Sequence, residues 1–303
     1  MVAAATYPAL RVAPAPALPV DRLVVGKPVE EAAELLPRLF NLCRVAQGTA
    51  ARAAFGLPLQ PGWQAALRAE ILRDHVLKLC LKWPGLLSIP AIALPRDWMA
   101  DAAALRGAVF GPARRLPDTY AGFRAFLETP DGVAPVLRAI ARLFASGEAC
   151  RPALPVSTPE TVFDAGAQEN SVAGRHAEHP VLRGIEAEIG RGPLWSAAAV
   201  AFDLEACLDG TLAPSQFDPG QAVVPAARGF YGVTARVDKG RVAALERIIP
   251  TDHLLAPDGA LQHTLATVPK IGAEALAPLL LSILDPCSPV SVEPAAPREA
   301  AHA

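Results

Sequence analysis

The sequence predicts one mainly α-helical domain with a small β component, and three observations carry that reading. Over residues 65–82, Leu72, Val76, Leu79 and Cys80 recur at three- and four-residue spacing, the repeat of a single apolar helix face. Residues 230–237 and 241–249 flank Asp238-Lys239-Gly240, where a glycine permits the positive φ that a tight hairpin turn demands. Hydrophobic residues make up 52% of the 303, enough for an ample core in one large domain or two smaller ones.

The remaining elements follow in chain order. Residues 1–25 form an Ala/Pro-rich lead. Residues 29–36 have helical composition, and Pro37 interrupts them. Cys43 then falls at a loop-to-helix junction, and 46–54 continues as a small-residue helix ended by Gly56 and Pro58. In 65–82, Arg68, Glu70, Arg73 and Lys82 are assigned to solvent, and Trp83-Pro84 closes the helix. The Pro and Gly content of 85–130 predicts short irregular elements. Residues 135–144 read as a helix opened by Pro135, with Val136, Ile140 and Phe144 four apart. The polar, Pro/Gly-rich stretch 151–179 reads as a long surface connection, and 195–208 as a helix. A last helix, 273–284, delivers the chain to Asp285-Pro286-Cys287. The domain is thus expected to span 26–293, with 294–303 a frayed tail.

Bulk properties exclude more than they name. A net charge of -2 gives no general attraction to nucleic acid or anionic membrane, and 6% aromatic residues argue against a base-stacking surface. Prolines 8, 14, 16 and 19 break the N-terminus where a signal peptide needs an unbroken apolar stretch. The apolar windows 79–94 and 276–284 are short or interrupted by Lys82, Pro84, Pro90 and Pro278, so a cytoplasmic location is expected. Five dispersed cysteines do not make the framework of a small secreted domain. Phosphate-loop, serine-hydrolase, zincin and C-x-x-C signatures are absent. His75 reads as a core or capping histidine, while His176 and His179 read as solvated.

Two segments stand out. Arg38-Leu39-Phe40-Asn41-Leu42-Cys43 and Asp285-Pro286-Cys287-Ser288-Pro289-Val290-Ser291-Val292-Glu293 resemble the metal-binding segments of nickel-iron hydrogenase large subunits, R-x-C-G-x-C and D-P-C-x-x-C-x-x-H. Phe40 and Val290 replace one cysteine of each pair, and Glu293 the final histidine. Further matches are the lead-in Gly26-Lys27-Pro28, the helix Asp74-His75-Val76-Leu77-Lys78 with Lys78 at the family's second histidine, Ala226-Ala227-Arg228-Gly229, and Pro250-Thr251. Gln47 and Val233 stand where the family has further histidines. With about two dozen residues before Gly26, the family's long N-terminal sheet finds no room.

A shortened, ligand-depleted chain of this kind is similar to the HupK/HoxV type of hydrogenase maturation protein. The resemblance implies a non-enzymatic scaffold with a trimmed large-subunit fold. It implies that Cys43 and Cys287 ligate iron bearing two cyanides and one carbonyl, that Arg228 and Thr251 donate to the cyanides, and that nickel, which needs all four thiolates, is not bound. The implied partners are small chaperones of the HypC/HupF type and the hydrogenase large subunit. A metal-free chaperone mimicking the large subunit and a divergent metal-dependent oxidoreductase are the competing readings. Cys80, Cys150 and Cys207 are read as small buried hydrophobes.

Overall fold

The computed structural model describes residues 5–6, 10–14, 16, 18–40, 42–269 and 271–294. Helix accounts for about 48% and strand for 14%, the mainly helical class with a small β component. The helix Pro193–Asp209 is the hub. Thirteen of its residues are buried, distributed all around the axis, so it has no solvent face to spare. The helices Trp63–Leu77, Ala134–Leu143, Val172–Arg175, Pro180–Ile189 and Ala273–Leu284 pack against it. Alanines 197, 198, 199 and 201 are fully buried, and their small side chains allow neighbouring backbones to come close.

One charge sits inside this hub. The Asp203 carboxylate is 1% exposed and accepts from His75 Nε2 and His176 Nε2, each at 2.8 Å, and from Arg175 Nη2 at 2.7 Å. His176 is therefore a structural partner of a buried carboxylate and not a solvated loop residue. The stretch 151–179 is likewise built into the body. Arg151 and Glu169, both buried, form a two-pronged ion pair at 2.6 and 3.0 Å, and the Asn170 side chain bonds both the N–H and the C=O of Phe230. Polar composition predicted exposure; mutual pairing made burial possible.

The strands form two antiparallel sheets. Strands β1 (Ala5–Thr6), β2 (Leu10–Pro14) and β7 (Val290–Pro294) make a small sheet in the order β1-β2-β7. Leu10 and Val12 enter the core with Leu261, Leu265 and Leu280, so a short N-terminal sheet is present and the lead shares the domain's core. The tail beyond 294 lies outside the described residues. The second sheet is a meander of β3 (Gln216–Asp218), β4 (Gln221–Ala226), β5 (Gly229–Asp238) and β6 (Arg241–Ile248). The predicted hairpin is β5–β6, with Lys239 (φ 49°) and Gly240 (φ 73°) both left-handed at the turn. Strand β4 escapes the alternation rule because it is buried on both faces: the helix Arg44–Ala54 covers one and Val162 lies on the other.

The helix Trp63–Leu77 does not stop at Trp83-Pro84. It widens into a π-turn, Lys78–Lys82, and continues as Trp83–Leu86. Pro84 has no N–H to offer, and the Cys80 carbonyl accepts instead from Ile92 N at 2.9 Å. Trp83 is fully buried and its Nε1 donates to Ser282 Oγ at 3.0 Å, tying this helix to Ala273–Leu284.

The Asp203 cluster makes stability pH-dependent. Burial holds the His75 pKa below its usual 6.5 despite the Asp203 carboxylate, while Arg175 and both histidines overcome burial and hold Asp203 well below 3.8. Unfolded His75 takes up a proton below pH 6.5 that the buried ring refuses, so stability falls as pH drops through that window; Asp203 contributes its share until pH falls below 3.8. Urea unfolding at pH 7.5 and 5.0 is expected to show a lower midpoint at 5.0, with a slope of up to about 1.4 kcal/mol per pH unit per proton. His75→Gln is expected to flatten that slope, and an unchanged slope contradicts the assignment.

Candidate metal centre

Cys43 and Cys287, 244 positions apart, line one small cavity together with Phe40, Gln47, Tyr231 and Arg247. Cys43 is the residue before the helix Arg44–Ala54 and holds left-handed backbone at φ 52°, an uncommon conformation for a residue with a side chain. Its helix is capped from outside. The Glu70 carboxylate accepts from Val45 N at 2.7 Å and Ala46 N at 3.1 Å, which turns a residue assigned to solvent into the anchor of the Cys43 segment. At the other end, Asp285 terminates the helix Ala273–Leu284, also left-handed at φ 51°, and delivers Cys287 two residues later.

Arg228 and Thr251 each attend one thiol. Arg228 Nη1 lies 3.4 Å from Cys43 Sγ, while Nη2 and Nε face Asp74 and Asp285 at 3.0 to 3.4 Å. The Thr251 hydroxyl accepts from Cys287 N at 2.6 Å. All four predicted residues are therefore brought together. Phe40 occupies the wall of the thiol cavity at the position of a missing cysteine, with the Arg247 guanidinium 4.4 Å above its ring.

Sequence reasoning left three members without a role. Lys78 Nζ pairs with Asp74 Oδ2 and Asp285 Oδ2, both at 2.5 Å, and with Arg228 these groups form a set of two buried cations and two partly buried anions. The sequence gives Asp285 no role of its own and shows Lys78 only as a replaced histidine. The signal was the spacing of Asp74 and Lys78, four residues apart on one helix face. Burial opposes the Asp74 charge, but Lys78 and Arg228 prevail and lower its pKa to about 2. Burial also opposes the Lys78 charge, and Asp285 and Asp74 outweigh it.

The resting thiols are protonated. Burial raises the Cys43 pKa against the pull of Arg228, and burial with the neighbouring Cys43 pushes Cys287 up to about 12. Cys80 and Cys207 lie in the apolar core, as read from sequence, and half-buried Cys150 donates its S–H to the carbonyls of Glu148 and Ile189. Among the described residues, no group of three or more His, Cys, Asp or Glu side chains is arranged to hold a metal ion. Two thiols and a buried, unpartnered Gln47 Oε1 in the same cavity suit a metal unit that arrives with most of its own ligands, not a bare ion.

The architecture defines the class. The fold matches the [NiFeSe] hydrogenase of D. vulgaris Hildenborough, with a TM-score of 0.55 at 12% identity, covering 92% of this chain and 95% of that one. It also matches the Ni-Fe-Se hydrogenase of Desulfomicrobium baculatum (0.52, 12%, 92% and 96%) and an NAD+-reducing [NiFe]-hydrogenase (0.53, 15%, 92% and 95%). This is a trimmed hydrogenase large-subunit fold. Within that class the sequence is 47% identical over 295 residues to the hydrogenase expression/formation protein HupK of Rhodobacter capsulatus, covering 97% of this chain and 95% of that protein. The chain belongs to the HupK family, a divergent relative of the large subunit. No family profile matches it.

Glu70 is the cheapest way to disturb the Cys43 segment without touching it. Glu70→Leu leaves two N–H groups of a helix terminus without their acceptor, and a loss of about 1–2 kcal/mol in urea unfolding is expected. A change within a few tenths of a kcal/mol contradicts the capping role.

Proposed function

We propose that this chain is a non-enzymatic hydrogenase maturation protein that holds an iron-dicyano-carbonyl unit before its transfer to the hydrogenase large subunit. The observation that carries the reading is the convergence of Cys43 and Cys287 on one cavity, each with its own polar attendant, Arg228 and Thr251. The name of the related R. capsulatus protein, an expression/formation protein, supports a role in assembly over one in hydrogen turnover.

The chemistry follows from the donors. Thiolates are soft ligands suited to low-spin iron carrying cyanide and carbonyl. Two of them plus three diatomic ligands fill five positions of an octahedron. Because the resting thiols are protonated, loading releases protons, and the Arg228 charge and the Thr251 hydroxyl stabilise the thiolates left behind. The same two groups are the donors proposed for the cyanide nitrogens. Nickel of the parent kind needs thiolates at 40 and 290, where this chain has Phe and Val. No helix among the described residues is long and apolar enough to cross a membrane, and a cytoplasmic site of action is part of the proposal. The proposed partners are small chaperones of the HypC/HupF type, as donors of the unit, and the large subunit as its recipient.

Infrared spectra of protein made with the maturation machinery and purified without oxygen test this. Cyanide and carbonyl bands are expected, without stoichiometric nickel or hydrogen oxidation. Cys43→Ser or Cys287→Ser is expected to abolish the bands, and Cys80→Ser to keep them. Wild type without bands that still supports hydrogenase assembly favours the metal-free chaperone; hydrogen oxidation favours the oxidoreductase.

A further inference from the structure

Lys78 plays no part in holding iron, yet its amine belongs to the more deeply placed of the two cations facing Asp74 and Asp285, a residue 4% exposed against 8% for Arg228. Its Nζ lies 2.5 Å from Asp74 Oδ2, 2.5 Å from Asp285 Oδ2 and 3.4 Å from the Ala227 carbonyl oxygen. Both Oδ2 atoms are buried, and the ammonium is the nearest cation to each. Two carboxylate oxygens converging on one point, with a carbonyl nearby, is the kind of surrounding a hard divalent cation takes, with oxygens at roughly 2.0–2.6 Å. The ammonium stands on that point.

The surrounding charges sharpen the consequence. Lys78 and Arg228 together balance Asp74 and Asp285, so the set has no net charge to attract a further cation. Arg228 contacts the same carboxylates through Nη2 and Nε at 3.0 to 3.4 Å and keeps Nη1 on Cys43, so its guanidinium is already engaged. Replacing Lys78 with a neutral side chain leaves two carboxylates facing each other through their buried Oδ2 atoms, with one guanidinium between them and the thiol. That arrangement carries a net charge of -1 and an open position among oxygens.

We propose that Lys78 is a built-in cation that excludes divalent metal ions, nickel among them, from the Asp74–Asp285 pocket that Arg228 links to Cys43. Metal then reaches the neighbouring thiols only as a preformed unit bearing its own ligands. That last clause rests on the function proposed above, whereas the exclusion of free ions does not. A merely structural Lys78 loses stability when replaced but confers no metal binding, which separates the two roles.

The test uses full-length protein free of iron. Mn2+ is titrated and free ion read by its electron paramagnetic resonance signal, and Ni2+ binding is followed by equilibrium dialysis. Wild type and Lys78→Arg are expected to show no stoichiometric site, and Lys78→Met to bind one equivalent at least about ten-fold more tightly than either. Lys78→Met/Asp285→Asn is expected to lose the gain. If Lys78→Met does not fold alone, Mn2+ is expected to restore folding, with a Tm that rises with its concentration. A stoichiometric site in wild type as tight as in Lys78→Met overturns the proposal. So does a folded Lys78→Met without gain, a double variant that keeps the gain, or an unfolded Lys78→Met that Mn2+ does not rescue. Absence of infrared bands in the wild type leaves each of these outcomes readable.

Discussion

Four charges packed together, two buried cations and two largely buried carboxylates, organise this molecule. Asp74 comes from the long helix, Lys78 from its π-turn, Arg228 from the turn between β4 and β5, and Asp285 from the end of the last long helix. Buried charges are tolerated only when paired, so none of these elements can move far without exposing a cost of several kcal/mol. The residues that matter ride on the same elements. Arg228 reaches Cys43, and Cys287 follows Asp285 by two positions. The ends of the chain meet because the charges between them must.

A second set of charges does for the scaffold what this one does for the site. Asp203, His75, His176 and Arg175 join the hub helix to the long helix and to the segment 172–176, and the Arg175 guanidinium also accepts no freedom of its own, since it donates to the carbonyls of Ala226 and Gly229 on either side of Arg228. His75 and Asp74 are adjacent, so the two sets share a helix. The π-turn that follows lets Trp83 and Pro84 continue the helix into the core while Lys78 points at the carboxylates.

Legibility in the sequence tracked how local the cause was. The helices 65–82 and 273–284 and the turn at Lys239-Gly240 rest on spacing and turn chemistry, and the last helix was placed at the bounds the structure has, Ala273–Leu284. The four candidate residues came from the resemblance, and they do converge. Missed were β4, whose two buried faces erase alternation, and the burial of 151–179, whose polar residues find partners far away in sequence, as Asn170 does at Phe230. Glu70 is hidden for the same reason: a carboxylate on a polar helix face looks solvated until another helix presents its bare N-terminus to it. Lys78 looked like a subtraction from a family pattern, and its two carboxylate partners, one of them 207 positions away, become visible only in the folded chain.

The central claim is that one sulfur from each end of the chain binds the same iron atom. X-ray absorption at the iron K-edge, on protein purified without oxygen from cells with the maturation machinery, measures that directly. The account predicts two sulfur neighbours at about 2.3 Å, near the zinc-thiolate length, alongside short carbon scatterers. An iron site with no sulfur, or one whose sulfur count is unchanged when Cys43 and Cys287 are both replaced by serine, contradicts it.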